Sequence, residues 1–501
     1  MTAEPNGYPA QVSIESRECS PQLLERLIGA TLFPERLVGS AIINTVCRAG
    51  GRLLYVTAPP MLEADQQVDY YLGLPGGGHD SGRARVHMVS LDDATSRWLS
   101  EKVLDPENPQ AAQVREVIRE FVDRERRNGA DVRLSYFEPS KPLERFAQAL
   151  GVPGNQSRSP HIPLGTKHAG RQLFTSVGID VPAGTGPCRN TTELAEEVAR
   201  MRLSGHRTVV IKLNSTAYGG GLGNALLDLG DLVPPGTHDD AALAEQVLAA
   251  LPQATLVDTK ITWNDFAGMI EESGAIAEEW VEGGAARSPS FQGRLTDEGG
   301  VEAVSTHDQV LSAHSQTYTG CFFPASVEYR RTLIDYGLRI GRALLEQGVD
   351  SGDYGVDFLA MRTSAGWRLL GCELNLRATG TKHAFTTVTG LLGVSATEDG
   401  RLLIDGSERA YEASDSIMDP RYVGLRPTQL IRAVAGSRLG YDPTRKKGVV
   451  LHMMSAVVRY GKFGAVCIGE NQAEARALMR SLRELVNGLA EPQASNGVLI
   501  G

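Results

Sequence analysis

The sequence predicts an α/β protein of three successive units. Three patterns carry that expectation. Strand-like and helix-like stretches alternate over residues 1–163, an apolar strand at Thr208–Leu213 runs straight into a glycine-rich loop, and Tyr354–Phe385 reads as two strands joined by the turn Thr363-Ser364-Ala365-Gly366. With 501 residues the chain is long enough for about three domains.

In the first unit, Ser20-Pro21 pairs an N-cap with proline at the first helical position and opens a helix to about Leu27. Arg52–Thr57 and Arg85–Ser90 are short apolar strands. Asn108-Pro109 opens a long helix over about Gln110–Arg127, with Ala111, Val114, Val117, Ile118, Phe121 and Val122 on one stripe. Val132–Tyr136 follows as a strand and Leu143–Leu150 as a helix stopped by Gly151. Gly151–Pro163, rich in Gly, Pro, Ser and Asn, reads as a boundary loop.

The second unit, 164–400, opens with helices at Lys167–Ser176 and Thr191–Arg202, the latter begun by a cap at Thr191-Thr192-Glu193. After the strand Thr208–Leu213 and its loop come helices near Asp240–Leu251 and Trp263–Glu272 and a strand Ala275–Val281. A strand-rich stretch to Phe323, a helix over about Val327–Gln347 and the hairpin complete it. The third unit, 401–501, carries a helix Pro427–Ala435, strands Gly448–Arg459 and Gly464–Ile468, and a helix Ala473–Leu489.

Composition excludes several classes. The net charge of −10 argues against nucleic acid as the main partner, because phosphate binding needs clustered Lys and Arg. The six cysteines form no CxxC pair and read as reduced thiols. No apolar run is long enough for a membrane span, and the N-terminus lacks a signal-peptide pattern. A cytoplasmic location is therefore expected.

The chemistry concentrates in 164–400. Within the hairpin, Glu373 and Asn375 share a strand face, and Asp357 falls opposite either Cys372 or Glu373. The second register puts two carboxylates together, which calls for a hard cation; oxygen ligands of this kind suit magnesium. The loop Gly219-Gly220-Gly221-Leu222-Gly223 could turn backbone N–H groups to an anion, although it is neither a Walker A loop nor a dinucleotide fingerprint. Lys212, inside Val209–Leu213, needs a partner: a phosphate, or an acidic neighbour. Lys167 could supply a second cation. The edge Glu278-Glu279-Trp280-Val281-Glu282-Gly283 could offer alternating backbone donors and acceptors to an adenine rim.

These pieces, in this order, resemble the ATP-grasp superfamily: Lys167 in GTKHAGRQLFTSVGIDVP, Lys212 in VVIKLNSTAYGGGLGNA, EEWVEG, and Asp357, Glu373 and Asn375. PPMLEADQQVDYYLGLPG, VSLDDAT, STHDQVL, TGCFFPA, ELNLRATGTKHAF and GLRPTQLIRAV look, further, like the pheganomycin-type peptide ligases over nearly the whole chain. The resemblance implies a Rossmann-like pre-ATP-grasp domain (1–163), a two-lobed ATP-grasp core (164–400) and a small α+β C-terminal domain (401–501). It implies ATP bound by Lys167, Lys212, Ser215, Gly219, Gly220, Gly221 and Glu278–Glu282, and magnesium on Asp357, Glu373 and Asn375. Lys212 and Arg377 take the catalytic roles, Arg377 replacing an arginine that many such ligases carry where this chain has Gly355. For the ribose, Glu282 or another group is left open. His307, Asp308, Arg377, Lys382 and His383 are the expected substrate contacts.

The implied reaction joins a small, often nonproteinogenic, amino-acid carboxylate to an amine or peptide N-terminus through an acylphosphate, as in natural-product biosynthesis. A phosphotransferase and a noncatalytic ATP-binding scaffold are the competing readings. The oligomeric state is left open, a homodimer being one option.

Overall fold

The computed structural model describes residues 7–26, 34–76, 82–218, 221–232, 240–281, 287–312 and 318–491. Three sheets organise them. The first is all parallel, in the order β3-β2-β1-β4, from β1 (Pro9–Ser13), β2 (Arg52–Thr57), β3 (Val86–Ser90) and β4 (Asp131–Ser135). Alternation of strand and helix produces it, since parallel neighbours need a crossover. Helix Pro109–Arg127 supplies one crossover; Asn108 accepts from the N–H groups of Gln110 and Ala111, and Ala111, Val114, Ile118, Phe121 and Val122 are buried. Helix Lys141–Leu150 ends at Gly151 in the left-handed region (φ 64°), a conformation that glycine adopts without a Cβ penalty.

The second sheet is antiparallel, in the order β7-β6-β5-β8: β5 (Thr208–Leu213), β6 (Asn224–Asp228), β7 (Thr255–Leu256) and β8 (Ala275–Glu279). It has its own apolar cluster, in which Leu194 and Val198 of helix Thr191–Leu203 and Phe266 and Ile270 of helix Trp263–Ser273 cover Val209 and Ile211. The cap of helix Thr191–Leu203 is Asn190, one residue before the expected box: its side chain accepts from the Glu193 N–H.

The third sheet is antiparallel, in the order β13-β12-β9-β10-β11-β15-β17-β16, with β14 beside β15. Its strands are β9 (Pro289–Leu295), β10 (Val301–Leu311), β11 (Tyr318–Phe323), β12 (Gly352–Thr363), β13 (Gly366–Asn375), β14 (Leu402–Ile404), β15 (Ser407–Met418), β16 (Gly448–His452) and β17 (Lys462–Gly469). The expected break at 400 falls inside this sheet, because β15 pairs β11 from Gly320↔Ser414 to Phe323↔Tyr411. The expected strand Gly448–Arg459 stops at His452, and Ala456–Tyr460 turns into a short helix ended by Gly461 at φ 59°. Helix Gln472–Ala490 buries Met479, Leu482 and Val486 in a cluster shared with Val38, Ile42 and Val46 from the N-terminal unit.

Glu35 ties the two ends of the chain together. Its carboxylate is buried and accepts the Ser455 N–H at 3.1 Å. Burial, only partly offset by Ser455, pushes its carboxyl up to about 7. Between the ordinary carboxylate range and pH 7 the folded state therefore holds a proton that the unfolded chain has lost, and stability falls as pH rises through that window. Glu35→Gln should flatten the fall, with a ceiling of about 3 kcal/mol. Urea unfolding of both proteins at pH 5 and pH 8 measures it, and equal pH dependence in the two would contradict the assignment.

Candidate functional site

A cavity of about 810 Å³ lies between the second and third sheets. Its floor is the hairpin β12–β13. The register pairs Asp357 with Glu373, and the next pair is Phe358↔Gly371, so Cys372 is the extra residue of a β-bulge. The two carboxylates thus face the cavity side by side. Gln309 Nε2 donates to Asp357 Oδ1 at 2.6 Å, and Asn375 Nδ2 donates to Asp357 Oδ2 at 3.2 Å. Lys167 forms an ion pair with Glu373. Burial and then the neighbouring charge of Glu373 raise Asp357 above the ordinary carboxylate range. Burial would raise Glu373 too, but Lys167 beside it outweighs burial and holds it below its ordinary value.

The roof comes from β5 and β8. Lys212 lies directly opposite Ile276, so Glu278, two residues on, is its diagonal neighbour on the same face. The Lys212 ammonium pairs with Glu278, and Arg171 Nη1 holds the other oxygen at 2.6 Å. Of the two partners expected for Lys212, the structure supplies the acidic one, while Lys212 also lines the cavity. The Glu278 side chain is 1% exposed and is therefore a clamp on two cations.

The adenine edge needs correcting in part. Segment 183–188 covers β8: Glu279 N donates to Ala183 O, Thr185 N to Ala277 O, and Cys188 and Ala275 exchange both bonds. Trp280 N donates to Thr208 O. The backbone groups of Glu278 and Glu279 expected to read a base are thus already committed along this strand. The Glu279 carboxylate accepts from Ala183 N at 2.9 Å, while Trp280 and Val281 line the cavity.

Gly221 and Tyr218 also line the cavity, Gly221 at φ 80°. Ser215 Oγ accepts from Ala217 N and stabilises its own turn away from the cavity wall. Gly219, Gly220, Glu282 and Leu27 lie outside the described residues.

Arg377 reaches the floor: its Nη2 donates to Asn375 Oδ1 at 2.7 Å. Burial, then Arg17, lowers it to about 10. Glu138 lies between the two arginines, ion-paired to Arg17 and 3.6 Å from Arg377 Nε.

Four expected substrate contacts are not at the cavity wall. His307 is fully buried among Phe323, Phe385 and Tyr411; Gln292 and the Tyr411 hydroxyl take both ring nitrogens, and burial lowers it to about 3. Asp308 accepts from the Tyr329 hydroxyl at 2.5 Å and from Ser326 N at 3.0 Å, which anchors the turn after β11. Lys382 is ion-paired to Asp353. His383 is buried, and its Nε2 lies 3.1 Å from His452 Nε2 and 3.0 Å from Asp415 Oδ1.

His383, Asp415 and His452 could by their donor atoms hold a divalent cation. Arg36, ion-paired to Asp415, and Lys462, which feels the Asp415 charge, set two positive charges beside them and oppose it. The Asp357–Glu373–Asn375 set fits a hard cation better: it supplies oxygens only, and two carboxylates stand there against the Lys167 ammonium where Asp415 alone faces two cations.

Gln309, Arg17, Glu138, Arg36, Asp415 and Lys462 went unread in the sequence. Gln309 has a signal, since it stands in the STHDQVL motif two residues past His307. The others come from segments whose approach to the cavity is tertiary.

The overall structure resembles the ADP complex of N5-carboxyaminoimidazole ribonucleotide synthetase, at TM-score 0.51 and 14% identity, over 98% of this chain and 100% of that one. It also resembles a biotin carboxylase complex with β,γ-ATP from Campylobacter jejuni, at TM-score 0.53 and 12% identity, over 97% and 96% of the two chains. This is the ATP-grasp fold. The family model described as PGM1 C-terminal domain matches residues 429–482, which span helix Pro427–Ala435 to helix Gln472–Ala490. A curated relative, the L-propargylglycine–L-glutamate ligase of Streptantibioticus cattleyicolor, is 29% identical over 329 residues. That match spans 65% of this chain and 64% of the relative, slightly under two thirds of its length. No helix among the described residues is long and apolar enough to cross a membrane.

Replacing Glu278 by Gln should leave Lys212 and Arg171 without their shared buried anion. Loss of one partner of a buried pair costs on the order of 3 kcal/mol. Urea unfolding of Glu278→Gln checks this, and a change under about 0.5 kcal/mol would show that the clamp is not structural.

Proposed function

We propose that this chain is an ATP-dependent carboxylate–amine ligase that forms an amide through an acylphosphate, with a small amino-acid carboxylate as donor. In this reading 1–163, 164–400 and 401–501 serve as the pre-ATP-grasp, ATP-grasp and family-specific units. One observation carries it: Asp357 and Glu373 face each other on the floor of a cavity whose walls carry Lys167, Lys212 and Arg377. The relative's name, which joins one amino acid to another, supports the same class.

The chemistry balances as follows. A substrate carboxylate oxygen attacks the γ-phosphorus of ATP, the bond to the β-phosphate oxygen breaks, and ADP leaves. The nitrogen lone pair of an amine then attacks the acyl carbon, the carbon–oxygen bond to phosphate breaks, and the departing phosphate carries away the amine proton. Phosphoryl transfer asks the protein for alignment and charge stabilisation rather than covalent help.

Lys212 and Lys167 reach the cavity from roof and floor and would receive phosphate oxygens. Arg377, fixed by Asn375 and Glu138, presents its guanidinium to charge that develops on the transferred group. Gln309 and Asn375 hold Asp357 in orientation. Asp357, Glu373 and Asn375 would hold magnesium, which when bound neutralises phosphate charge. Tyr218 and Gly221, which line the cavity, would help exclude water from the acylphosphate.

A hydroxylamine trap tests the reading. Purified protein with ATP, magnesium and a panel of amino acids should form ADP and an acyl hydroxamate with at least one donor. Glu373→Ala should cut that ADP formation by at least about a hundredfold. ADP formation at near wild-type rate in Glu373→Ala would remove the assigned platform, and phosphorylated acid without hydroxamate would point to a phosphotransferase.

A further inference from the structure

The cavity has a second wall that the nucleotide reading leaves unused, made by Arg36, Tyr318, Thr319, Asp415, Ser416 and Lys462. It is built by a distortion of β15. Ser414 pairs Ala465 and Ile417 pairs Phe463, so Asp415 and Ser416 together oppose Gly464. That β-bulge re-aims the strand, and both residues come to line the cavity. Gly464 has no room for a side chain: a Cβ would lie 2.2 Å from His452 Nε2. The space goes instead to the His452 ring, which with His383 and Arg36 holds the Asp415 carboxylate.

Charge on this wall is unbalanced. Asp415 stands against two cations, Arg36 and Lys462. Arg36 is engaged, by Asp415 and by Gly380 O at 3.0 Å. Among the described residues Lys462 makes no ion pair or side-chain hydrogen bond of its own, and the Asp415 charge it feels is already shared among Arg36, His383 and His452. A mostly buried ammonium at a cavity wall in this position selects for an anion.

Which substrate brings that anion follows from the reaction class, so this inference rests on the ligase reading above. A monocarboxylic donor amino acid spends its carboxylate at the Asp357–Glu373 platform and keeps an ammonium, which Lys462 and Arg36 would repel. An acceptor spends its amine and keeps a carboxylate. The wall also stands apart from the platform: β15 is four strands from β12 across the sheet, about 19 Å along the hydrogen-bonding direction. Both line one cavity, and a span of this order suits a carboxylate set well away from the reacting amine.

We propose that the Arg36–Asp415–Ser416–Lys462 wall is the acceptor subsite, and that it selects an amine of amino-acid to short-peptide size carrying a free carboxylate, read by the Lys462 ammonium.

The test uses the full chain with ATP, magnesium and the donor found in the hydroxylamine trap. Acceptors are a panel of L-amino acids and dipeptides, each against its C-terminal carboxamide. Wild type should prefer at least one free acid over its carboxamide by about tenfold in kcat/KM, the worth of one charge-assisted hydrogen bond. Lys462→Met should erase that preference through KM, and Lys462→Arg should keep most of it. A wild type indifferent to the carboxamide change, or a Lys462→Met enzyme that keeps the preference, overturns the proposal. So does a Lys462→Met defect confined to the donor's KM. Thermal melting of both variants separates misfolding from loss of recognition, and Lys462→Arg carries the test if Lys462→Met does not fold. Failure of the hydroxylamine trap in wild type overturns the ligase reading itself, which keeps the two failures distinct.

Discussion

Two carboxylates on neighbouring strands, both facing inward, are the constraint to which the rest of the site answers. At an effective dielectric near 20, like charges about 5 Å apart repel by roughly 3 kcal/mol. The chain relieves this locally. Lys167 pairs with Glu373, amide donors from Gln309 and Asn375 bind Asp357, and Arg377 stands behind Asn375. Arg377 in turn crowds Arg17, and Glu138 lies between them. The hairpin is thus the first member of a chain of alternating charges that runs into the N-terminal unit. Moving any one member leaves the next without its counter-charge in a buried place.

The same logic repeats in the roof. Glu278 balances Lys212 from its own sheet and Arg171 from helix Lys167–Ser176. One buried carboxylate therefore links the second sheet to the helix whose first residue is Lys167, which is bound to the floor. The two lysines are aligned through the backbone that joins these pairs.

Legibility followed the range of the interactions. Helix Lys167–Ser176, strand Thr208–Leu213 and the hairpin were readable because caps, apolar runs and a four-residue turn are local signals. The register was readable only as a choice of two. The bulge at Cys372 settles it, and no local pattern encodes that bulge. β1 was missed although it lies inside the parallel sheet, since Pro9–Ser13 is five residues with a proline and a glutamine. β15 was missed because Ser407–Met418 mixes charged, small and apolar residues without alternation, and with it went Asp415. Polar residues in familiar-looking motifs misled in the other direction: His307, Asp308 and Lys382 hold up the scaffold around the cavity, while Gln309 from STHDQVL binds Asp357 on its floor.

The continuity of the third sheet bears on how such a chain could be rebuilt. Because β11 finds its second neighbour in β15, a cut at residue 400 would strip the partner from Gly320–Phe323 and open a raw strand edge beside an uncovered apolar cluster. Modular exchange of the last hundred residues for those of a related chain is therefore not a linker operation. A workable chimera would carry β11 and β15–β17 as one graft, together with the N-terminal segment around Glu35 and Arg36 that docks on them. In the terms of protein engineering, the cavity wall around Asp415 and the scaffold are one cassette, and the boundary that suits recombination lies elsewhere than at the place where the sequence changes character.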